Sequence, residues 1–299
     1  MILITGGNGQ LGTELRHLLD ERGAAYTATD VKELDITDKA AVDSYFDAHK
    51  PTLVYHCAAY TAVDKEEGEG KELGYKINVT GSENLAEAAA RVGATLVYIS
   101  TDYVFGGEIG IGEERQVDDP KGAESEYGRT KSLGEDAVAN SGANFYIVRT
   151  AWVFGNYGPN FVFTMQKLAE THPTLTVVND QHGRPTWTRT LAEFMTYLVD
   201  TKQAYGFYHL TNDAKPGEDV TWYDFAKEIL KNTDVDVQPV DSSGFKQVAK
   251  RPFNSTMALD KTKATGFEIP LWQDALASML AKGDLRENPD KIKGETAEK

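Results

Sequence analysis

The chain has 299 residues, of which 40% are hydrophobic and 26% charged, and these values are typical of a soluble globular protein. Its formal net charge of −15 argues against nucleic acid or an anionic membrane as a partner, because both select basic surfaces. No apolar run reaches the about 18 residues needed to span a bilayer, and the N-terminus lacks the basic residues of a signal or transit peptide. The single cysteine, Cys57, excludes an intramolecular disulfide and a cysteine-based zinc site. These features predict a cytoplasmic protein.

Apolar runs alternate with helical patterns through the first half of the chain, as in βαβ units around a parallel sheet. The predicted strands are Met1–Thr5, Ala25–Thr29, Leu53–His56, Thr95–Ser100 and Asn144–Arg149. The predicted helices are Gln10–Arg22, Lys39–His49, a long helix Glu67–Arg91, and Tyr127–Asn140.

After about Trp152 the alternation becomes irregular, and proline, glycine and aromatic residues become more frequent. We therefore predict an α/β fold with a Rossmann-type doubly wound parallel sheet over residues 1–151, to which some later segments return. Residues 152–283 are predicted to form mainly a smaller C-terminal α/β substrate lobe. Residues 284–299 are mostly charged and polar, and are predicted to form a flexible tail.

A glycine-rich segment lies directly between the first predicted strand and the first predicted helix. Gly9 and Gly12, with either Gly6 or Gly7, have the spacing that dinucleotide-binding loops use for a tight turn and for close approach of the backbone to a pyrophosphate. The following helix offers free N–H groups and a favourable dipole to that anion. We therefore predict an NAD(P) site that contains Gly6, Gly9, Gln10, Leu11 and Gly12.

An acidic residue, Asp30, ends the second predicted strand and follows Gly12 at close to the spacing of about 20 residues expected for the acid that binds the adenosine ribose. A carboxylate there favours NAD, whereas Lys32 could compensate the 2′-phosphate of NADP, so NADH and NADPH both stay open. The alternative for Asp30 is an ordinary turn residue. Asp35 and Ile36 follow, and could meet the adenine by a hydrogen bond and by packing.

Tyr127 and Lys131 stand four residues apart in a predicted helix, so their side chains share one face. A tyrosine has a pKa of about 10, and a nearby ammonium group lowers that pKa towards the range where proton transfer is efficient. Taken alone, this spacing is explained better by an ordinary surface pair. Thr101, however, closes the fourth strand at its carboxyl end, where open α/β sheets place their ligands. We predict that Thr101, Tyr127 and Lys131 form a catalytic centre.

The third predicted strand ends in small residues, where a cofactor must pass closely. Ala58, Ala59 and Tyr60 are therefore predicted to contact the cofactor. Cys57 lacks the histidine pattern of a nucleophile, and we expect it to be a small buried residue. His56 is likewise expected to be structural.

Together these residues resemble the extended short-chain dehydrogenase/reductase family, over residues 1 to roughly 281. The chain is similar in particular to the reductases of dTDP-linked 4-keto sugars, through the order and spacing of six segments: Gly6–Gly12, Ala58–Asp64, Ser100–Gly106, Tyr127–Lys131, Arg149–Gly155 and Asp180–Thr186. The resemblance implies an N-terminal NAD(P) domain and a C-terminal nucleotide-sugar lobe. It also implies reduction of the C4 keto group of dTDP-4-dehydro-6-deoxy-L-mannose, with a hydride from the cofactor and a proton from Tyr127.

The same resemblance implies the substrate contacts. Tyr103 and Trp152 would pack on the sugar, although a plain core role stays open for Trp152. The dTDP part would meet Gln181, Arg184, Pro185 and Thr186, with Arg184 facing the diphosphate. Arg251 is a further candidate for substrate contact.

Two departures from the family pattern limit what can be carried over. The family reads Val-Phe-Asp-Gly where this chain has Gly106 in the third position. Some members dimerise through magnesium held by acids that correspond to Glu14 and Glu193, but Phe194 stands where a second acid is expected. We therefore expect no bound metal, and leave a monomer or another homodimer open.

Two other functions stay open at the level of sequence. One is a nucleotide-sugar dehydratase or epimerase of the same superfamily. Dehydratases need an acid–base pair after the threonine. Here Asp102 is followed by Tyr103 and not by a second acid, which favours reduction. A non-catalytic NADP-binding regulatory subunit is the other. Such a subunit could lose Tyr127 and Lys131 without penalty, so their presence favours an enzyme.

Overall fold

The computed structural model describes residues 1–244 and 247–286. In the first half, strands and helices alternate: β1 (Ile2–Thr5), α1 (Gln10–Glu21), β2 (Tyr26–Thr29), α2 (Lys39–His49), β3 (Leu53–His56), α3 (Val63–Glu66), α4 (Lys71–Tyr75), α5 (Ser82–Val92), β4 (Thr95–Thr101), α6 (Glu126–Asn140) and β5 (Asn144–Thr150). Polar caps fix where some helices begin. The Asp38 side chain accepts from the N–H of Ala41 at the start of α2, and Ser125 accepts from Gly128 at the start of α6.

The second half has shorter and less regular elements: β6 (Val153–Phe154), α7 (Phe161–Ala169), β7 (Thr174–Val178), β8 (Thr186–Trp187), α8 (Thr188–Asp200), β9 (Gly206–His209), α9 (Trp222–Leu230), β10 (Asp236–Val240), α10 (Asp260–Ala264) and α11 (Trp272–Lys282). Helix α9 begins with a capping box, in which Thr221 and Asp224 exchange side-chain and backbone hydrogen bonds.

Six parallel strands form the central sheet in the order β2-β1-β3-β4-β5-β9. The direction of strand addition reverses between β1 and β3, which is the switch point where such sheets bind ligands. Strand β9 comes from the second half of the chain and extends this sheet beside β5. The predicted Rossmann-type doubly wound parallel sheet is therefore confirmed.

Helices cover both faces of the sheet because its strands are apolar on both sides. Leu3 packs with α2 and α5 on one face, whereas its neighbour Ile4 packs with α1 and α8 on the other. A separate apolar core, built around Phe154, Phe225 and Trp272, holds the second half together. Full burial of one such side chain is worth about 1.5–3 kcal/mol, so the two cores fix the elements that border the sheet.

The predicted long helix Glu67–Arg91 begins only at Lys71, and a π-helical segment divides it. Gly68 and Gly70 occupy a turn between α3 and α4, and a π-helical segment, Lys76–Gly81, separates α4 from α5. In that segment the Asn78 side chain bonds both backbone groups of Tyr60, at 2.8 and 3.1 Å. The other predicted ends in the first half lie within two residues of the observed ones.

The predicted tail, 284–299, lies outside the described residues from 287 onwards. Within the described ranges, no helix is both long enough and apolar enough to cross a membrane.

Candidate active site

A cleft of about 470 Å³ opens at the carboxyl ends of the central strands. Predicted site residues from distant parts of the chain meet in its wall: Gly9, Gln10, Leu11, Ala59, Thr101, Tyr103, Tyr127, Lys131 and Trp152. The structure thus brings the three predicted catalytic residues together with part of the glycine loop and both predicted sugar contacts.

The glycine loop connects β1 to α1 and brings backbone unusually close to backbone. Gly6 has a φ of +67°, and a Cβ there would lie 2.5 Å from the Ala58 nitrogen. A Cβ on Gly12 would overlap the carbonyl oxygen of Gly6. Helix α1 begins after Gly9 without a side-chain cap, so its first N–H groups are available to an anion in the cleft.

Asp30 lies beside this loop, directly after β2. Its Oδ1 accepts from the N–H of Val31 at 2.8 Å, and its Oδ2 accepts from the N–H of Asn8 at 3.2 Å. The Arg16 guanidinium donates to the Asn8 side chain at 3.3 Å. The Arg16 guanidinium and the Asp30 carboxylate therefore both bond Asn8 of the loop. Sequence reasoning considered only Lys32 as the cation, although Arg16 stands four residues after Gly12.

The two predicted adenine contacts are engaged by the protein itself. Asp35 closes a local turn, in which its Oδ1 accepts from the backbone and hydroxyl of Thr37 at 2.9 and 2.8 Å. Ile36 is 7% exposed and packs in the core, and its carbonyl accepts from Asn84 at 2.9 Å.

The end of β3 forms the floor of the cleft. Ala59 lines it, Ala58 lies against the glycine loop, and the backbone of Tyr60 is held by Asn78. Burial raises the pKa of the Cys57 thiol to about 12, and lowers the pKa of His56 to about 3. Both residues are therefore uncharged at neutral pH, and His56 bonds side-chain hydroxyls through both ring nitrogens.

Tyr127 stands in the first turn of α6, and faces the end of β4. Its ring packs edge-on against Tyr103, with the ring centroids 5.6 Å apart. Burial raises the pKa of Tyr127 above its ordinary value; the neighbouring Asp102 adds to the rise, and a hydrogen bond with Thr101 opposes it. This direction is opposite to the one expected from the Tyr–Lys spacing, because desolvation of the buried phenol is the largest effect on its pKa. Tyr127 is therefore a protonated acid at neutral pH.

Lys131 lies one turn further along α6 and is 2% exposed. Its Nζ donates to the carbonyl oxygen of Ile99 at 2.7 Å, and lies 4.0 Å from the ring centroid of Tyr98. Burial lowers the pKa of Lys131 to about 7, against the attraction of Glu135 and Glu66. Protonated and neutral forms of Lys131 are therefore both populated near neutral pH.

Two stacked indole rings form the outer wall. Trp152 lies on Trp222 with the ring centroids 3.9 Å apart. Trp152 adopts a positive φ of 49°, a backbone conformation that is costly for a bulky residue and clusters at ligand sites. Gly183 approaches so closely that a Cβ there would lie 2.8 Å from the Trp152 ring. The position of Trp152 is therefore set by both neighbours.

From this wall a narrow crevice leads away from the cleft. Its lining includes Asp102, Tyr103, Trp152, Gln181, His182, Trp222, Arg251 and Ser255. A second cavity of about 410 Å³ follows, and shares Gln181 and Arg251 with the crevice. Arg251 is held by Asp64, whose Oδ2 accepts from it at 2.8 Å. The predicted contacts Gln181 and Arg251 therefore lie on a continuous path from the cleft.

The other three predicted dTDP contacts take part in the framework around the path. Arg184 pairs with Glu114 and donates to the carbonyl oxygen of Met257 at 3.2 Å. Pro185 is buried, and Thr186 is fully buried with its hydroxyl donating to the Ala151 carbonyl at 2.7 Å. Because their polar groups are bound within the protein, the placement does not support direct substrate contact for these residues.

Sequence reasoning missed two residues of the site. Asp102 was weighed only as a dehydratase acid, although its place after Thr101 at the end of β4 put it in the cleft. Trp222 had no local signal, because only the fold brings the start of α9 against Trp152.

The two acids weighed as magnesium ligands lie around a cation. Arg189 Nε is 2.7 Å from Glu193, and Arg189 Nη1 is 3.7 Å from Glu14. Glu14 also accepts from the Thr188 hydroxyl at 3.2 Å. In the part of the chain that the structure describes, no group of three or more acidic, histidine or cysteine side chains could hold a metal ion.

Residues 1–285 match the family described as RmlD substrate binding domain. A dTDP-4-dehydrorhamnose reductase of Streptomyces griseus is 44% identical over 285 residues, covering 92% of this chain and 91% of the relative. A dTDP-4-keto-6-deoxy-D-glucose reductase of Streptomyces niveus is 36% identical, covering 92% of this chain and 94% of the relative.

The crystal structure of a dTDP-4-dehydrorhamnose reductase from Clostridium acetobutylicum has a TM-score of 0.89 at 43% identity, and covers 94% of this chain and 98% of that one. The enzyme of the same name from Bacillus anthracis, solved in complex with NADP, has a TM-score of 0.88 at 36% identity with the same coverage. By sequence and by fold, the chain belongs to the RmlD substrate binding domain family, within the extended short-chain dehydrogenase/reductases that its motifs resemble.

Proposed function

We propose that this protein reduces the C4 ketone of dTDP-4-dehydro-6-deoxy-L-mannose to dTDP-L-rhamnose with NADH or NADPH. The observation that carries the proposal is the meeting of Thr101, Tyr127 and Lys131 in one cleft whose outer wall contains Tyr103 and Trp152. The first three supply an acid and its polar partners, and the last two supply aromatic surface for a pyranose. The relatives that are dTDP-4-dehydrorhamnose reductases agree with this activity.

The residues around the glycine loop fit a dinucleotide. Gly6 and Gly12 leave the loop without a Cβ where backbone meets backbone, and the uncapped start of α1 offers N–H groups to a pyrophosphate. Asp30 is placed to accept from the ribose hydroxyls, and Arg16 supplies a cation beside it. When bound, the reduced nicotinamide supplies the hydride for the C4 ketone.

The side chains of the cleft complete the reduction. Tyr127, protonated at neutral pH, gives its proton to the alkoxide formed at C4. The Thr101 hydroxyl polarises the ketone beforehand, and one preorganised donor of this kind is worth about 2.7–4 kcal/mol in such sites. Lys131, in the same wall, would hold the nicotinamide ribose and, when protonated, would place positive charge near the phenolate.

The path beyond the cleft suits the nucleotide part of the substrate. Gln181 and Arg251 line both the crevice and the second cavity, where Lys250 adds another cation. Both cations are available to a diphosphate there, beside the acids Glu108 and Asp180 of the same lining. The proposal places the reaction in the cytoplasm, since one cysteine in the whole chain fits a reducing compartment.

The direct test follows cofactor oxidation. The purified protein is incubated with dTDP-4-dehydro-6-deoxy-L-mannose and with NADH or NADPH, and the absorbance of the reduced nicotinamide is recorded. We expect oxidation by the wild type and near-complete loss of it in Tyr127→Phe. Tyr75→Phe is the matched control, at a tyrosine that is 43% exposed and outside the cleft, and should oxidise the cofactor as fast as the wild type. Absence of oxidation above the Tyr127→Phe level with both cofactors would remove the proposed function.

A second arm addresses the sugar. The same assay with dTDP-4-keto-6-deoxy-D-glucose, the sugar named for the Streptomyces niveus relative, measures discrimination between two 4-keto sugars. We expect a higher kcat/KM for the L-mannose derivative, and a reversal of this order would reassign the substrate without changing the reaction class.

A further inference from the structure

One carboxyl group in the cleft has no part in the reaction described so far. Asp102 is 4% exposed and lines both the cleft and the crevice. Its Oδ1 accepts from the Thr101 hydroxyl at 2.8 Å. Its Oδ2 is buried and lacks a hydrogen-bond partner within the described residues. A buried carboxyl with one free oxygen is therefore bonded to the hydroxyl that must polarise the ketone.

The Thr101 hydroxyl has one proton and two lone pairs to share among its neighbours. The backbone N–H of Tyr103 donates to it at 3.3 Å, and the Tyr127 side chain is a further partner. An ionised Asp102 can only accept, so the Thr101 proton then points to the carboxylate. Tyr127 is left to donate to the remaining lone pair of Thr101. Both protons that the ketone needs are then turned away from it.

A protonated Asp102 reverses this arrangement, because a carboxylic acid can donate to the Thr101 oxygen and release the Thr101 proton. We propose that Asp102 is a positioning residue which, in its protonated form, turns the Thr101 and Tyr127 hydroxyls towards the substrate ketone. The inference rests on the proposed reduction. Asp102 takes its proton from solvent and keeps it through the turnover, so the C4 alkoxide still receives the Tyr127 proton.

The surroundings of Asp102 allow this protonation. The other titratable side chains that line the same two spaces are Cys57, Tyr103, Tyr127, Lys131, His182 and Arg251. Burial keeps both tyrosines protonated, and Arg251 and His182 are paired with Asp64 and Asp219. Burial raises the pKa of Asp102 to about 6, against the hydrogen bond with Thr101. A bound substrate would displace water and raise it further.

The test is the pH profile of kcat/KM for reduction. In the wild type we expect a fall of about tenfold for each pH unit above the pKa of Asp102. In Asp102→Asn the amide N–H can donate to Thr101 at every pH, so the part of the fall that Asp102 causes disappears and only a fall that begins at the pKa of Lys131, about 7, remains. The value at low pH stays within about tenfold of wild type. Glu14→Gln is the matched control. Glu14 is also a buried carboxyl that accepts from a threonine and has a raised pKa, but lies outside the cleft, so its variant keeps the wild-type profile.

The outcomes separate this inference from the proposed function. An alkaline fall that is the same in Asp102→Asn as in the wild type, or inactivity of that variant at all pH values with normal cofactor binding by fluorescence titration, would overturn the role of Asp102 alone. If the wild type oxidises no cofactor, the reduction fails and this inference fails with it. Should Asp102→Asn not bind cofactor, Asp102→Ser replaces it, since a hydroxyl can also donate to Thr101, and the same profile decides.

Discussion

Lys131 and Glu135 are buried charged side chains about one turn apart on helix α6, and their partners differ. Glu135 is fully buried and is held by Arg149 through two hydrogen bonds of 2.8 and 2.9 Å. Lys131 is 2% exposed, and its Nζ donates to a carbonyl oxygen and lies over an aromatic ring, while Glu135 and Glu66 attract its charge without an ion pair among the described residues. A paired charge is stable in the interior, whereas a desolvated one is reactive. The pair anchors α6 to β5, and the anchored helix can then hold an unfavourable charge in the cleft.

The anchoring pair also reaches the loop beyond Tyr103. The Arg149 guanidinium lies over the rings of Phe105 and Phe207, at 4.8 and 4.9 Å from their centroids. It also donates to the carbonyl oxygen of Val117 at 2.9 Å. Arg149 thus joins α6, β5, β9 and the loop that follows β4.

The largest expected effect is on the reactive side of the comparison. Tyr127→Phe removes the proton donor, and we expect kcat to fall by about 10²–10⁴-fold. The change keeps the ring that packs on Tyr103, so the free energy of unfolding and the cofactor affinity stay close to wild type. Steady-state kinetics with a cofactor titration check this. A kcat near wild type would mean that another group protonates the alkoxide.

The largest expected loss of stability is on the anchoring side. Arg149→Met leaves the Glu135 carboxylate buried without its main partner, and we expect the free energy of unfolding to fall by about 3–5 kcal/mol. Urea unfolding monitored by circular dichroism measures it. Adding Glu135→Leu to that variant should recover much of the loss, because the orphaned charge is then gone. A loss below 1 kcal/mol in the single variant would contradict the anchoring role.

The sequence predicted the meeting of Thr101, Tyr127 and Lys131 better than the contact between Arg149 and Glu135. Thr101, Tyr127 and Lys131 stand at the ends and first turns of elements whose hydrophobic period is clear, so the parallel sheet alone brings them to one edge. Arg149 and Glu135 are side chains of a predicted strand and helix whose contact depends on the packing of α6 on β5. Local pattern gives no sign of such a pairing.

Side-chain contacts in the second half of the chain were harder to predict, again because they depend on packing between distant segments. Arg184 and Thr186 lie in a motif of the family, but their partners, Glu114 and Ala151, come from distant loops and turn these side chains inward. The raised pKa of Tyr127 also escaped prediction, since spacing reports the neighbouring lysine but not the depth of burial.

At Lys131 we expect a substitution to raise the free energy of unfolding, by less than Arg149→Met lowers it. Burial lowers its pKa to about 7 in the folded protein, from an ordinary value of 10.5. Between these values the unfolded chain binds a proton that the folded protein lacks, so this lysine makes wild-type stability rise with pH. Lys131→Met removes the desolvated charge; we expect the cofactor-free protein to gain on the order of 1 kcal/mol at or below pH 7, and reduction to be lost.

Urea unfolding at pH 6 and pH 9 checks this expectation for Lys131. The gain should be larger at pH 6, where the folded wild type must carry the buried charge. A variant that is less stable than wild type at pH 6 would mean that the hydrogen bond to Ile99 and the contact with Tyr98 outweigh desolvation. Lys131 would then be a satisfied charge like Glu135.

The smallest expected effect sharpens what holds Glu135. Lys121 also approaches this carboxylate, at 3.6 Å, but its side chain is 24% exposed and lies closer to Asp136, at 2.6 Å. Solvent screens such a pair, so Lys121→Met should cost only about 0.5 kcal/mol, and less in high salt. The measurement is urea unfolding at two salt concentrations beside Arg149→Met. Equal losses in the two variants would mean that net positive charge near Glu135 is enough; a large difference means that the buried, bidentate geometry of arginine is what fixes α6.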